Sequence, residues 1–442
     1  MRHALHLVLC LLVFSALFTT GCQDGGSTRS SDNLSLTVLN TELLQTYMPL
    51  WAAFQDGTAG TWTRLTPGAD GRISANVTNP AGAYGLAVAV DMGNRVNIYY
   101  LQGTLADGAA LTLPVEIYEQ YASRNPAERM AGRPAAPSRI AYESAWEMII
   151  SVTNIPSFDM MSFAGPGDSS YSTPAISPSM YTSLSFPAGR PGDFCVLLDD
   201  MTEPYANGRI YMHRNLSHAA GETANESVDF SPPYDGSKLT YEVTERSTVT
   251  VAGALAIQPR WVSANGTEIF LRMSDGSSTV YPVIPDAVAT ENDRYKYVAM
   301  DYMAGRQAYY WSQTPATSFS LPAAFTCGFS GLTYTGLDGA NASLYRFSTY
   351  GDNVQWIGIV TAAWLAAAGA TGSTLPDFSG VDGWQPAWNL TAASVTDAYA
   401  TKVESNFPLP LPAYLLNNTD AFLQPTPPDG AFVKESFDNA RY

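Results

Sequence analysis

Turn chemistry interrupts this chain about every ten residues, and that spacing limits what it can fold into more than any other feature of the sequence. From Leu34 to Val115 the breaks fall at Asp56-Gly57, Pro67-Gly68 with Asp70-Gly71, Asn79-Pro80 with Gly82, Met92-Gly93-Asn94 and Asp107-Gly108. Glycine reaches positive φ without a Cβ clash and proline presets its own φ, so each break has a mechanical cause. The runs between them are short and apolar or alternating. In 293–303, DRYKYVAMDYM, residues Tyr295, Tyr297, Ala299, Asp301 and Met303 share one face while Lys296, Val298, Met300 and Tyr302 share the other. Period two is the pattern of strands. Residues 83–91, AYGLAVAVD, are apolar at both parities, as a strand covered on both faces must be. The expected fold class is all-β, in tandem antiparallel β-sandwiches.

Several domains are the default for a chain of 442 residues. Residues 119–139, EQYASRNPAERMAGRPAAPSR, gather four arginines and three prolines with almost no large aliphatics, and read as a linker. The spacing then divides the chain into sandwiches over 34–118, 140–236 and 237–325, followed by a β-rich unit over 326–442. FPAGRPGDFCVLL (186–198) echoes NPAGAYGLAVAV (79–90), which agrees with similar sandwiches in tandem. In the last unit, TAAWLAAAGA (361–370) is alanine-rich and ends in glycine, a short helix. Prolines in 407–416 and 424–428 exclude central strands there, and the tail reads as an extended wrap over the last unit.

The N-terminus, MRHALHLVLCLLVFSALFTTGC, has a short positive start, an apolar run from Leu7 to Phe18 and small residues before Cys22. About 20 apolar residues are needed to span a bilayer, so a run this short makes a poor uncleaved anchor. The layout resembles that of bacterial lipoproteins, with Thr19-Thr20-Gly21-Cys22 in the place of their cleavage motif and threonine where leucine is usual. The resemblance implies cleavage between Gly21 and Cys22, leaving 1–21 as signal peptide, and diacylglycerol on the Cys22 thiol followed by acylation of the new amine, palmitate being the usual chain. Residues 22–33 then form the lipidated cysteine and a Gly/Ser-rich tether reaching roughly 18 Å. Gln23 follows the cysteine where aspartate would hold such a protein at the inner membrane, which favours the outer membrane. An ordinary secretory signal with an incidental Cys22 is the other reading. At lower specificity, FQDGTAGTWTRL (54–65) and TLPDFSGVDGW (374–384) resemble uncharacterised multi-sandwich envelope lipoproteins, and the middle units look like the transthyretin-like regulatory modules of carboxypeptidases, which carry no catalytic residues.

Signatures of chemistry are sparse. Lys and Arg total 23 against 40 Asp and Glu, a formal charge of −17, so nucleic acid is excluded as a partner. Beyond the signal only His213 and His218 remain, and with Glu222 they offer a weak zinc set against the simpler reading as loop histidines. No Gly-x-Ser-x-Gly elbow, Ser-x-x-Lys pattern, phosphate loop or Asp-x-Asp-x-Asp-Gly loop occurs, so no catalytic residue, metal or cofactor is assigned. Cys195 and Cys327 are either a disulfide or two separately buried thiols.

One density stands out. Trp356, Trp364, Trp384 and Trp388 fall within 33 residues, with Asp377 and Asp382 among them. Indole faces beside carboxylates suit sugars, and tryptophan also suits a sandwich core. Core packing is the first reading of these rings, and an exposed ligand platform made of Trp356, Trp384, Trp388, Asp377 and Asp382 is the alternative. Two functions fit: a surface-anchored, non-catalytic binding or structural lipoprotein whose partners are the membrane and a carbohydrate or envelope protein, or a carbohydrate-active hydrolase using the last unit's acids.

Overall fold

The computed structural model describes residues 33–40, 45–115, 145–156, 158, 160–165, 168–172, 179–188, 191–200, 208–272, 274–339, 341–409, 411 and 427–439. Gly21, Cys22, the tether as far as Asp32 and the linker 119–139 lie outside the described residues, whereas Asn33, at the end of the expected tether, exchanges side-chain hydrogen bonds with the Val77 backbone. The regular secondary structure is almost wholly strand, in six sheets among the described residues. Its α-helix, Ala362–Ala368, falls where the alanine run predicts: Thr361 accepts a hydrogen bond from the Trp364 N–H at the start, and Gly369, at φ 61°, ends it in the left-handed region.

The expected domain boundaries do not survive. A 13-stranded sheet takes strands from three of the four expected units. Ala256–Val262, Arg294–Asp301 and Arg306–Ser312 come from 237–325. Phe432–Asn439 pairs antiparallel with Arg306–Ser312 on one side and with Asp397–Ser405 on the other. Leu344–Tyr350 and Val354–Thr361 follow, and Val354–Thr361 pairs in parallel with Val96–Thr104 of the first unit. The expected tail thus supplies a central strand, because the prolines stop short of Phe432 and FVKESFDN alternates freely.

Each face of this sheet has its own core. Leu101, Ile357, Ile359, Leu344, Val403 and Val433 lie on one side, under a four-stranded sheet that brings Leu36, Val38, Ile73 and Leu113. Ile98, Tyr100, Tyr345, Phe347 and Val360 lie on the other, with Trp364 and Leu365 of the helix. Residues of one strand alternate between the two cores, so the strands read as continuously apolar. The second unit repeats the device. In Gly192–Asp199, Phe194, Val196 and Leu198 face a core shared with Trp146, Met148 and Ile150, while Cys195 and Leu197 face a core shared with Val249, Ile257 and Tyr297 of the third unit. That strand is buried throughout.

Among the described strands, three pairs are parallel: Leu34–Asn40 with Ala110–Val115, Ala145–Thr153 with Thr223–Asp229, and the Val354–Thr361 junction. Parallel partners need a crossover between them, which nearest-neighbour turn spacing does not reveal. The Cys195–Cys327 disulfide is also contradicted. Both thiols are free and sit in different cores, and burial raises the proton affinity of each, that of Cys327 to a pKa of about 11.

Gly358 sits opposite Tyr100 in the parallel junction, and a Cβ there would stand 1.9 Å from Tyr100 Cζ. Overpacking a close-packed core costs about 1–3 kcal/mol or more. Gly358→Ala should therefore lower the melting temperature by several degrees, whereas Gly380→Ala, with nothing within 4 Å of the new carbon, should leave it unchanged. Thermal denaturation of the two variants checks this, and equal melting temperatures would contradict it.

Candidate functional site

The tryptophan cluster is core. Trp356 and Trp384 are 3% and 8% exposed, and Trp388 is half-buried against the same core. Trp356 stacks on Phe378 with centroids 5.4 Å apart, and Trp384 meets Trp51 at 4.8 Å and Trp388 at 5.2 Å, edge to face. The loop supplies the polar partners its indoles need. Trp356 Nε1 donates to the Trp388 carbonyl at 3.0 Å, Trp384 Nε1 to Asn389 Oδ1 at 2.8 Å, and Trp51 Nε1 to the Asp382 carbonyl at 3.1 Å. Of the five candidate ligand residues, the structure thus packs the rings inward and leaves both carboxylates outside. Asp377 accepts from the Ser379 backbone N–H at 2.9 Å, a turn-forming bond that holds its carboxyl below the usual range. Trp356 and Trp384 thus follow the core-packing reading of the sequence, since their indole faces meet other rings and not solvent. Trp384→Ala should cost about 3–5 kcal/mol in stability, and Asp377→Asn little, in chemical denaturation.

The histidines lie apart. His213 Nδ1 is 2.9 Å from Glu226 Oε1, and His218, whose ring centroid is 4.5 Å from that of Trp146, pairs with Glu222 at 3.4 Å. Among the described residues no three His, Cys, Asp or Glu side chains are placed to hold a metal ion.

Two buried ionic groups fasten the second unit to the third. Arg214 bridges Asp193 (3.1 Å) and Asp293 (2.6 Å) with its guanidinium 5.4 Å from the centre of the Trp261 ring. Asp199, 1% exposed, lies 2.7 Å from Arg246 Nη2 and 3.7 Å from Arg272 Nη1. Burial outweighs the pull of the two guanidiniums and raises the Asp199 pKa from 3.8 to about 6. The native state then holds this proton more tightly than the unfolded chain, and the group's contribution to stability falls as pH rises across that interval. The melting temperature of the wild type relative to Asp199→Asn should decline from pH 4 to pH 7, measured in matched buffers; a rise would contradict the assignment.

A groove on the large sheet has the character of a binding site. Its walls are Arg346, Ser348 and Tyr350 of one strand, Asp397, Tyr399 and Thr401 of the next, and Phe437 of the third, around about 310 Å³. These side chains project from the same face as Leu344, Val403 and Val433, but beyond the stretch where that face packs into the core. Tyr399 stacks on Phe437 at 5.5 Å with planes 20° apart and meets Tyr350 edge-on at 5.8 Å. Phe437 is 45% exposed, unusual for so large an apolar side chain. Arg346 is half-buried, and its Nε is shut from solvent with no hydrogen-bond partner among the described residues. Burial weakens its hold on the proton, an effect opposed by the charge of Glu435 and by Tyr350 and Tyr99. The tyrosines and arginine of LYRFSTY and the acid of DAYATKVES signal this site in sequence only once their strands are known to pair.

No protein-family model matches the chain, and no curated protein does. Among solved structures, the Bacillus anthracis TIE protein is similar at 10% identity and a TM-score of 0.15, over 65% of this chain and 50% of that one. The chain therefore spans half the length of that protein.

Proposed function

We propose that this protein is a surface-anchored, non-catalytic binding lipoprotein of the bacterial cell envelope, held at the outer membrane by lipid on Cys22 and presenting the sheet groove to its ligand. The groove is the observation that carries the binding half of this reading: aromatic faces and separated charges stand open on three adjacent strands. A stiff sheet holds such groups at fixed spacing, which suits recognition. Glycoside hydrolysis needs two carboxylates roughly 5–10 Å apart, and among the residues lining the groove Asp397 is the sole carboxylate. That supports binding over cleavage. The anchoring half rests on the resemblance of Thr19-Thr20-Gly21-Cys22 to the lipoprotein motif.

One acyl chain holds a protein to a bilayer only marginally, and stable attachment takes two or more. Cys22→Ser should therefore move the protein from the membrane fraction to the soluble fraction without changing its melting temperature, and mass spectrometry of the wild type should show the acyl chains. A Cys22→Ser protein that stays in the membrane fraction, with an unmodified wild type, would refute the anchor. New reducing ends from a polysaccharide panel would refute the non-catalytic reading.

A further inference from the structure

We propose that the groove binds an acidic saccharide, with a sugar ring lying on the Tyr399 and Phe437 faces and its carboxylate on the Arg346 guanidinium. The inference rests on the binding reading above and names the ligand class of the same site.

Three observations carry it. The first is the aromatic wall. Phe437 is braced by stacking on Tyr399, and Tyr350 closes the corner at 88° to that ring. An aromatic face covers the apolar C–H surface of a pyranose, and the Tyr399 hydroxyl donates to Asp397 Oδ1 at 3.4 Å, which ties the acid to the aromatic wall. The second is the cation. Arg346 stands half-buried in the groove wall with its Nε shut from solvent and unpartnered among the described residues, so a ligand in the groove meets the guanidinium through its Nη groups. A carboxylate is the acceptor whose geometry fits it, through two parallel N–H to oxygen bonds. The third is spacing. Arg346 is opposite Thr401 and Tyr350 opposite Asp397, so the cation and the acid lie four residues apart along the ladder, about 13 Å.

That separation selects among anions. An amino acid carries its ammonium and carboxylate too close together to reach both Asp397 and Arg346 at once. An oligosaccharide does reach both, placing its acid at one end of the groove while Asp397, Ser348 and Thr401 take hydroxyls along the way. Nucleic acid needs several cations, and Arg346 is the sole cation among the lining residues. The chain's formal charge of −17 opposes anions at long range, but screening limits that field to about 8 Å at physiological ionic strength. Contact inside the groove then decides binding.

Trigalacturonate and its methyl ester differ in the carboxylate charges and little in shape, so calorimetric titration of the mature protein with each separates charge from stacking. The acid should bind about tenfold or more tightly than the ester. Arg346→Gln should erase that difference while keeping ester affinity, and Phe437→Ala should weaken both ligands with the melting temperature held, since Phe437 is exposed. Should Arg346→Gln fail to fold, the acid-to-ester ratio on the wild type and the Phe437→Ala result remain decisive. Equal affinity for acid and ester, both lost in Phe437→Ala, would overturn the acidic class while leaving a sugar-binding protein. No binding of trigalacturonate, or binding indifferent to Phe437→Ala, would overturn the groove as its site, with the Cys22→Ser fractionation still testing the anchor separately.

Discussion

The parallel ladder between Val354–Thr361 and Val96–Thr104 is the constraint on which the rest of the structure depends. It joins segments some 250 residues apart in sequence, and through it the strands of the first and last units become one sheet. Its register is set by fit, since the Tyr100 ring occupies the space a side chain at position 358 would need. A slip of one residue would turn Ile357 and Ile359 away from their core and Trp356 and Val360 away from the opposite one. Closing so long a connection has an entropic cost that grows only slowly with length, and the burial on both faces offsets it.

A continuous sheet with a partial cover has a further consequence. Where the four-stranded sheet packs down, the shared face carries Leu344, Val403 and Val433; past that cover the same three strands carry Arg346, Tyr350, Asp397, Tyr399 and Phe437. One face therefore changes from core to groove along its length without any change in backbone geometry. The groove's groups sit on neighbouring strands about 4.8 Å apart, so their relative positions come from the ladder and not from loops. The buried ionic groups at Arg214 and Asp199 do different work. They satisfy charges between packed sheets, and their neighbours are already supplied by the protein.

The contrast between the two aromatic clusters is instructive. Tryptophans crowded near Asp377 and Asp382 look like a ligand surface in sequence, yet Trp356 and Trp384 find acceptors at the Trp388 carbonyl and Asn389, and their faces close on other rings. Tyr399 and Phe437 are separated by a proline-rich stretch and look unremarkable in sequence. Strand pairing brings them into contact, and Phe437 remains at the surface.

Turn spacing and period-two alternation determined the fold class, because both act over a few residues and need no partner. The helix at Ala362–Ala368 was legible for the same reason, with a threonine cap at one end and a glycine at the other. Strand partners were not legible. Alternation says that a strand has two faces and is silent on what covers each, so four apolar-rich stretches read as four domains when three of them share a sheet. The fate of Cys195 and Cys327, the burial of Trp356 and Trp384, and the assembly of Arg346, Asp397 and Phe437 into one groove were all decided by pairing between distant segments. Such pairing is set by the summed fit of two surfaces, a quantity that no local stretch of sequence contains.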